Sequence, residues 1–405
     1  MHVLIVTQHF WPENFRINDL AAGLVERGHQ VTVLTGIPNY PAGRFFPGYG
    51  VFKRTREEYK GARILRLPLV PRGKGGGVRL AINYLSFALS SIMLSPFLCR
   101  GKFDLIVVCQ LTPVTVGLPA LFLKKIKGIP ILFWILDLWP ESLSATGAIR
   151  SVWILAQVDR LVRFIYRGCD RIVVASKGFL PSVIAKGIAG EKTDYFPNWY
   201  EAEYRSQPGQ DDATISADMP VGFRVMFAGN IGVAQDFGTI LSAAEMLKQH
   251  QDIYWVILGD GRQFEWVKEQ VKLRNIGDRV LLLGRHAPDT MIGFFAQADA
   301  MLVTLRKDPV FALTVPGKIQ SYLACGRPIV ASLDGEGAQL VKESGAGFAT
   351  PSGDAEGLAH SVMTMYRMPK AEREAMGARG KVYCEANFER EMLFDRLEGW
   401  MQELR

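Results

Sequence analysis

The sequence predicts an α/β protein built from two doubly wound domains in tandem. Short apolar runs alternate with segments of helical period along both halves of the chain. The alternation stops in a polar stretch at 198–221 and then starts again. A chain of 405 residues is too long for one ordinary core and fits two domains of about 200 residues each.

The first half opens with a strand, an amphipathic helix and a second strand. Residues 3–7 are an apolar run, and Ile17, Leu20 and Leu24 share one side of a helix predicted at 15–27. A second apolar run at 31–35 completes a βαβ unit, whose strands are typically parallel. Further strands are predicted at 64–67, 105–109, 131–136 and 171–175, and further helices at 114–127 and 151–167.

The segment 80–99 contains no charged residue and is just long enough to span a bilayer. Asn83, Pro96 and four serines make it only moderately apolar. It therefore fits a core helix, a helix lying on a membrane surface, or a membrane span. The flanking cations suit anionic lipid or an ordinary solvated rim; they are Arg72, Lys74, Arg79, Arg100 and Lys102.

In the second half, glycines follow the first three predicted strands. The turns are Gly229-Asn230-Ile231-Gly232, Gly259-Asp260-Gly261 and Gly284-Arg285-His286. Such turns either bring backbone N–H groups close to a phosphate or simply connect strands to helices. His286 fits a base pocket or a plain turn. The strands are predicted at 223–228, 255–258, 280–283, 301–305 and 329–332, with helices at 237–249 and 317–324 and a helical tail at 371–405.

The stretch 314–332 has the features of a diphosphate site. Pro316 suits the first turn of a helix, and Gly326 suits its end. The N-terminus of this helix, with Lys318 beside it, would attract a diphosphate.

Polar residues also follow strands in the first half. His9, Glu13, Asn14 and Arg16 come after the first strand, where ligands of α/β sheets bind. Asn14 could equally cap the following helix, and Arg16 could be a surface charge. Asp137, Trp139 and Glu141 follow the strand at 131–136 and are expected at the same edge of the sheet.

The charge distribution and the cysteines limit the classes of binding partner and the compartment that we expect. Residues 1–200 hold 25 lysines and arginines against 12 acids, a balance of +13, whereas 201–405 hold 22 against 28, a balance of −6. The basic half suits an anionic membrane surface or a phosphorylated acceptor, and no nucleic-acid-binding signature accompanies it.

The five cysteines are scattered and no metal-ligand spacing occurs, so we expect a reducing cytosol and no metal. A P-loop and a complete dinucleotide fingerprint are missing, and the N-terminus does not look like a signal peptide.

Several motifs together resemble GT-B glycosyltransferases of family four. The resemblance is greatest to the bacterial surface-polysaccharide branch that includes N-acetylfucosaminyltransferases. The motifs are Pro12-Glu13, Arg27-Gly28-His29-Gln30-Val31, Pro38-Asn39-Tyr40-Pro41, Asp137-Leu138-Trp139-Pro140-Glu141-Ser142, Phe227-Ala228-Gly229-Asn230-Ile231-Gly232, Leu258-Gly259-Asp260-Gly261, Pro316-Gly317-Lys318 and Tyr322-Leu323-Ala324-Cys325-Gly326-Arg327-Pro328.

The resemblance implies a GT-B fold, with two Rossmann-like domains facing a central cleft. Residues 1–197 would bind the acceptor, 198–221 would be a linker, 222–385 would bind the nucleotide-sugar, and a helix at 386–405 would pack back on the first domain. It implies retaining transfer from a UDP-sugar to a polyprenyl-diphosphate-linked saccharide, with no metal and no other cofactor. The enzyme would be cytoplasmic and peripheral on the inner face of the bacterial inner membrane.

The resemblance also implies roles for individual residues. The catalytic residues would be Lys318, Asp137 and Glu141, and the acceptor side of the cleft would hold Glu13, Asn14, Arg16 and Trp139. The donor-binding residues would be Gly229, Asn230, Gly232, Gly259, Asp260, Gly261, Arg285, His286, Pro316, Gly317 and Ser321. A nucleotide-sugar epimerase of the same fold and a non-catalytic sugar-nucleotide-binding subunit are the alternatives.

The chain departs from the family pattern at three places. Many members carry two glutamates eight positions apart, where this chain has Leu313 and Ser321. A neutral hydrogen bond from Ser321 or Gln320 would replace the ribose contact. A histidine that precedes the aspartate in the family is Leu136 here. A basic residue often follows the Gly229-type turn in the family, where this chain has Val233-Ala234-Gln235. Lys318 would therefore neutralise more of the diphosphate charge, with Arg16, Arg285 or Arg306 as helpers.

Overall fold

The structure, a computed structural model, describes residues 1–73, 76–200 and 219–405. It consists of two units, one formed by Met1–Pro197 with Glu391–Arg405 and the other by Asn198–Arg390. Most of the predicted linker, 201–218, and Lys74 of the predicted basic rim lie outside the described residues.

The first unit contains an eight-stranded sheet with the order β3-β4-β2-β1-β5-β6-β7-β8. Only β3 runs antiparallel to its neighbour, and the other pairs are parallel. The strands are β1 His2–Val6, β2 Gln30–Gly36, β3 Arg56–Tyr59, β4 Ala62–Leu67, β5 Leu105–Gln110, β6 Ile131–Ile135, β7 Arg171–Val174 and β8 Thr193–Tyr195.

Helices cover this sheet, which explains why β5 and β6 are buried at every position. Helix α1 buries the predicted apolar side with Ile17, Leu20 and Leu24. The helices are α1 Arg16–Glu26, α2 Gly77–Leu98, α3 Gly117–Lys127, α4 Glu141–Ala145, α5 Val152–Arg167 and α6 Phe179–Ala185.

Helix α2 contains most of the ambiguous uncharged segment, and its two sides have different environments. Its inner side is buried and contains Asn83, Phe87, Ser91 and Ser95. Its outer side, which we call the α2 apolar stripe, is exposed and consists of Val78, Ile82, Leu85, Leu89, Met93 and Phe97. By length and composition α2 could cross a membrane, and among the described residues no other helix meets that criterion.

The second unit contains a parallel six-stranded sheet with the order β11-β10-β9-β12-β13-β14. Its strands are β9 Phe223–Ala228, β10 Ile253–Leu258, β11 Val280–Gly284, β12 Ala300–Thr304, β13 Ile329–Ser332 and β14 Gly347–Thr350. Its helices are α7 Phe237–Met246, α8 Phe264–Leu273, α9 Met291–Gln297, α10 Pro309–Ala312, α11 Gly317–Ala324, α12 Gly335–Glu343, α13 Ala355–Arg367 and α14 Lys370–Phe388.

The final helix, α15 Arg390–Glu403, packs on the first unit. The Arg27 guanidinium pairs there with the carboxylates of Glu391, Asp395 and Glu398 at 2.6–2.8 Å. Trp400 adds an edge-on ring contact with Phe196 at 5.8 Å between centroids.

Both sheets reverse the direction in which successive strands are added. The reversal lies between β1 and β5 in the first unit and between β9 and β12 in the second. Ligands of doubly wound sheets bind beyond the carboxyl ends of the strands at such a point. These two strand ends therefore define where functional side chains should be sought.

Candidate active site

The glycine turns of the second unit pack backbone against backbone. Gly229 and Gly259 have φ angles of +135° and +136°, which favour glycine. A Cβ atom on Gly259 would lie 1.9 Å from the Gly229 carbonyl oxygen, and one on Gly261 would lie 2.3 Å from that of Ile231. The two loops can approach this closely only because these positions lack side chains.

Several N–H groups of these turns are used within the fold. Gly229 donates to the Leu258 carbonyl at 2.9 Å, and Gly259 donates to the Gly284 carbonyl at 2.7 Å. Gly232 donates to Oε1 of Gln235 at 3.2 Å. The first role of the Gly229 and Gly259 N–H groups is thus to hold the strand ends together, whereas Gly232 pairs with a side chain that a ligand could displace.

The tips of the first two turns are polar and exposed. Asn230 and Asp260 both lie at the surface. The Asp260 carboxylate accepts the N–H of Gly261 at 2.6 Å, and its carbonyl accepts the N–H of Ile231 at 2.9 Å. Asp260 therefore links the two turns, as the close glycine packing requires.

Helix α11 is fixed to the end of β9 by Tyr322. Its hydroxyl accepts the Ala228 N–H at 3.0 Å and donates to the Ala228 carbonyl at 3.2 Å. Lys318 lies four residues earlier and so projects from the same face of the helix. Pro316 is the residue before the first turn, with φ −62° and ψ 128°, as expected for a start at Gly317.

Lys318 carries a buried ammonium group at the start of α11. Its Nζ lies 3.5 Å from the centroid of the Phe227 ring, and its Cε packs against Gly229. Although the side-chain stem is partly exposed, Nζ is buried and has no hydrogen-bond partner among the described residues. Burial without a counter-ion lowers the pKa of Lys318 to about 7. This cation is ready to be stabilised by an incoming anion.

The neighbouring positions carry neutral polar groups. Ser321 is buried, and its hydroxyl donates to the Gly317 carbonyl at 3.4 Å. Gln320 is also buried, and its Oε1 has no partner among the described residues. The two residues proposed to replace the family glutamate thus lie on α11, one turn after its N-terminus.

The third turn lies at the edge strand β11. Arg285 is exposed, whereas His286 is half-buried against Phe294 with ring centroids 4.5 Å apart. Nε2 of His286 lies 3.2 Å from the Leu283 carbonyl. Because two strands, β10 and β9, separate β11 from the reversal point, these residues are further from it than Lys318.

In the first unit, the predicted residues after β1 have different environments. Glu13 is buried and its Oε2 lies 2.9 Å from Nδ1 of His9. Asn14 is exposed and does not cap α1, whose preceding residue is Phe15 without a side-chain cap. Arg16 begins α1 and is half-buried.

Asp137, which is half-buried, and the buried Trp139 form a pair after β6. The Asp137 carboxylate accepts the indole N–H at 2.9 Å, and burial raises the pKa of this carboxyl group. Nε2 of Gln110, at the end of β5, donates to the Asp137 carbonyl at 2.7 Å. A desolvated carboxyl group at a strand end is suited to bind a polar ligand group.

Glu141 has a local structural partner. Its Oε1 accepts from Nζ of Lys186 and from the hydroxyl of Ser182, both at 2.7 Å. Lys186 also lies 3.3 Å from Asp159. Through these contacts Glu141 holds α4 against α5 and α6. Within the described ranges, no group of three His, Cys, Asp or Glu side chains could hold a metal ion.

Phe227 and Tyr322 belong to motifs that resemble the family, but their role in positioning Lys318 was not predicted. Phe227 reads as an ordinary strand residue, and Tyr322 as an ordinary core residue of an amphipathic helix. The four-residue spacing from Lys318 to Tyr322 was the available signal, because it places both on one helix face.

Two family models match the chain. One, described as "Glycosyl transferase 4-like domain", covers residues 14–199, and the other, "Glycosyl transferases group 1", covers 222–368. A protein described as a colanic acid biosynthesis glycosyl transferase, WcaI of Escherichia coli K12, is 24% identical over 341 residues, which are 80% of this chain and 82% of WcaI.

Solved structures match over the whole chain. HepE of Anabaena, in complex with UDP-glucose, has a TM-score of 0.71 at 17% identity and covers 100% of both chains. Sucrose-phosphate synthase from Thermosynechococcus elongatus has a TM-score of 0.76 at 17% identity, covering 99% of this chain and 98% of its own.

The two doubly wound units and these matches define a glycosyltransferase of GT-B fold, which confirms the predicted fold class. The chain belongs to the glycosyltransferases that combine a 4-like N-terminal domain with a group 1 C-terminal domain. The resemblance to the N-acetylfucosaminyltransferase branch stays a prediction.

Proposed function

We propose that this glycosyltransferase moves a sugar from a UDP-sugar to a polyprenyl-diphosphate-linked saccharide, with retention at the anomeric carbon. The donor sugar is proposed to be an N-acetylated deoxyhexosamine or a hexose, as in the N-acetylfucosaminyltransferase branch. The product would be a surface polysaccharide of a bacterium: O-antigen of lipopolysaccharide, capsule or exopolysaccharide. WcaI, named for colanic acid biosynthesis, and HepE, solved with UDP-glucose, support the polysaccharide and UDP parts.

The observation that carries this proposal is the uncompensated ammonium of Lys318 at the N-terminus of α11. When the bond from the sugar to the diphosphate breaks, negative charge develops on the leaving oxygen. A cation in a desolvated site stabilises that charge more as the bond breaks, so it lowers the barrier and does more than bind the donor.

We propose that no metal ion takes part. Lys318 and the N–H groups at the start of α11 provide positive potential at one place, which is the function a divalent cation serves on other diphosphates. Activity should then survive dialysis against EDTA. A loss that Mg²⁺ or Mn²⁺ restores would reject this part of the proposal.

We propose that the enzyme acts on the cytoplasmic face of the inner membrane, with the α2 apolar stripe in the lipid interface. The stripe exposes 59–78% of Val78, Leu85, Leu89, Met93 and Phe97. The opposite side of α2 is buried in its own domain, which favours a helix lying on the membrane over one crossing it. Arg79, Arg100 and Lys102 flank the stripe and suit anionic headgroups.

The donor is identified by a thermal-shift screen of UDP-, GDP- and dTDP-sugars, followed by turnover with and without a lipid-linked acceptor. A transferase releases UDP faster when acceptor is present, and NMR of the product gives the anomeric configuration. Turnover of the donor without acceptor would indicate the epimerase. Binding without turnover would indicate the non-catalytic subunit, which the missing glutamates at 313 and 321 favour.

Membrane binding is tested by sedimentation with phosphatidylglycerol vesicles. Leu89→Glu and Met93→Glu should each weaken binding at least tenfold, because a charge in the interface opposes burial of the stripe. Val382→Glu is the matched control, since Val382 is also an exposed apolar residue, 66% exposed, but lies on α14. Equal binding by all three variants would reject α2 as the docking surface.

A further inference from the structure

A second set of buried polar atoms lies at the reversal point of the first unit. His9 follows β1 and is 2% exposed. Its Nδ1 lies 2.9 Å from Oε2 of Glu13, which is also buried. The other carboxylate oxygen accepts the N–H groups of Asn39 at 2.7 Å and Tyr40 at 2.6 Å. Glu13 thus accepts three hydrogen bonds from three separate positions.

This arrangement determines which ring nitrogen of His9 carries the proton. A carboxylate that already accepts two N–H groups can only accept from the imidazole, so Nδ1 holds the hydrogen. In the neutral ring, Nε2 then presents a lone pair. Nε2 is buried and has no hydrogen-bond partner among the described residues. A buried acceptor of this kind needs a donor, and a hydroxyl group provides one.

The surroundings of His9 suit a sugar. The rings of Phe15 and Tyr40 lie 5.5 and 5.8 Å from the imidazole. Tyr40 is 38% exposed, so the cover over His9 reaches the surface. Aromatic faces with a few convergent polar groups are typical of small-ligand sites. Oε1 of Gln110, at the end of the adjacent strand β5, is a further buried acceptor without a partner in the described part of the chain.

We propose that His9 is a sugar-hydroxyl subsite, in which Nε2 accepts a hydrogen bond from a hydroxyl of the bound saccharide. Glu13 is the positioning residue, because it fixes the tautomer and the ring. The inference rests on the proposed glycosyl transfer for the identity of the ligand. The hydroxyl can belong to the acceptor or to the donor sugar, and the experiment separates these two sources.

The first test is ¹⁵N NMR of protein labelled at histidine. His9 should show the Nδ1–H tautomer, and its Nε2 signal should shift on adding a saccharide. The probes are a short-chain prenyl-diphosphate-linked N-acetylglucosamine, UDP-glucose, and UDP as the probe without a sugar. A shift with the first assigns the acceptor, and a shift with UDP-glucose but not UDP assigns the donor. No shift with either sugar overturns the proposal and leaves an internal water as the partner of Nε2.

The second test compares variants in kinetics. His9→Phe keeps a ring but removes the acceptor atom, and should lower kcat/KM for the sugar substrate about tenfold, the size expected for one hydrogen bond. His9→Gln, which returns an acceptor oxygen, should recover part of that loss. Glu13→Gln should change the tautomer signal as well as the kinetics. Wild-type kinetics in a folded His9→Phe protein would overturn the proposal.

His29→Phe is the matched control. His29 also pairs with a glutamate, Glu398, at 2.6 Å, but it precedes β2 and therefore lies at the opposite edge of the sheet. Its loss should change stability and leave sugar kinetics unchanged. If the wild type transfers no sugar, the proposed transfer fails, while the NMR shift still decides the His9 subsite. UDP binding, which concerns the second unit, should be unaffected by every variant of His9.

Discussion

Replacing Lys318 with methionine should stabilise the protein while removing its activity. Methionine keeps the length and apolar stem of lysine but carries no charge, so it can occupy the space against Phe227 and Gly229. The native site confines an ammonium group without a counter-ion, which opposes folding. If Lys318 binds the diphosphate as proposed, the protein loses stability to keep this anion site.

The magnitude follows from the pKa of Lys318. Burial lowers it from 10.5 to about 7, so between these pH values the unfolded chain binds more protons and stability rises with pH. At about 1.36 kcal/mol per unit, the cost approaches ~5 kcal/mol below pH 7 and falls to ~2 kcal/mol at pH 9. We expect about half of these values to be measured, because the stem is partly exposed and the site can relax.

The assay is urea unfolding of wild type and Lys318→Met at pH 6 and pH 9. The variant should be more stable at both, by a margin that is larger at pH 6. UDP binding should weaken roughly 10- to 100-fold, as for loss of a charged hydrogen bond. In the wild type, UDP binding near pH 8 should be accompanied by uptake of a proton by the protein, because the diphosphate raises the pKa of Lys318. Lys272→Met, at an exposed lysine of α8, is the control and should change stability by less than ~0.5 kcal/mol.

A Lys318→Met protein that is less stable than wild type at pH 6 would refute the reasoning, because the ammonium would then be stabilised by a group other than the ligand. An equal gain at both pH values would also contradict it. In that case the gain would come from packing and not from titration.

Three further substitutions test the glycine turns, the Tyr322 hydrogen bonds and the packing of α15. Gly259→Ala should lower the free energy of unfolding in urea by at least ~2 kcal/mol, because its Cβ would overlap the Gly229 carbonyl. Gly284→Ala is the control, since Gly284 also has a positive φ (+75°) but faces open space, and it should cost only ~1 kcal/mol. Tyr322→Phe should lower the free energy of unfolding by ~1–3 kcal/mol, because the N–H and the carbonyl of Ala228 both lose the hydroxyl as partner. A variant as stable as the wild type would contradict this role. Arg27→Ala should speed hydrogen exchange of α15 and leave α14 unchanged, and unaltered exchange in α15 would refute its anchoring role.

The strands and helices with strong patterns were predictable from the sequence. The buried runs within β1, β5 and β6 have no polar interruption, and β9 is apolar except for Arg224. Glycine marks the end of each of the first three strands of the second unit. Three strands were not predicted, namely β3, β8 and β14. β3 is polar and pairs only at the edge, and β8 has three residues, so neither leaves a clear hydrophobic pattern.

The site was predictable in its positions but not in its partners. Lys318 could be placed at a helix N-terminus from Pro316 and Gly326 alone. That Glu141 pairs with Lys186, 45 residues later, could not, because an ion pair between distant segments has no local signal. The environment of α2 also required the structure, since an uncharged segment has the same composition whether one side or both are buried.

The return of the chain to the first domain has a consequence for biosynthesis. The carboxylates that pair with Arg27, and the Trp400 ring against Phe196, are made on the ribosome only after the second unit. The first unit therefore cannot pack against α15 until the whole second unit has been synthesised. A fragment ending at residue 197 would lack this helix, so isolated expression of the first unit should use a fusion that rejoins residues 391–405.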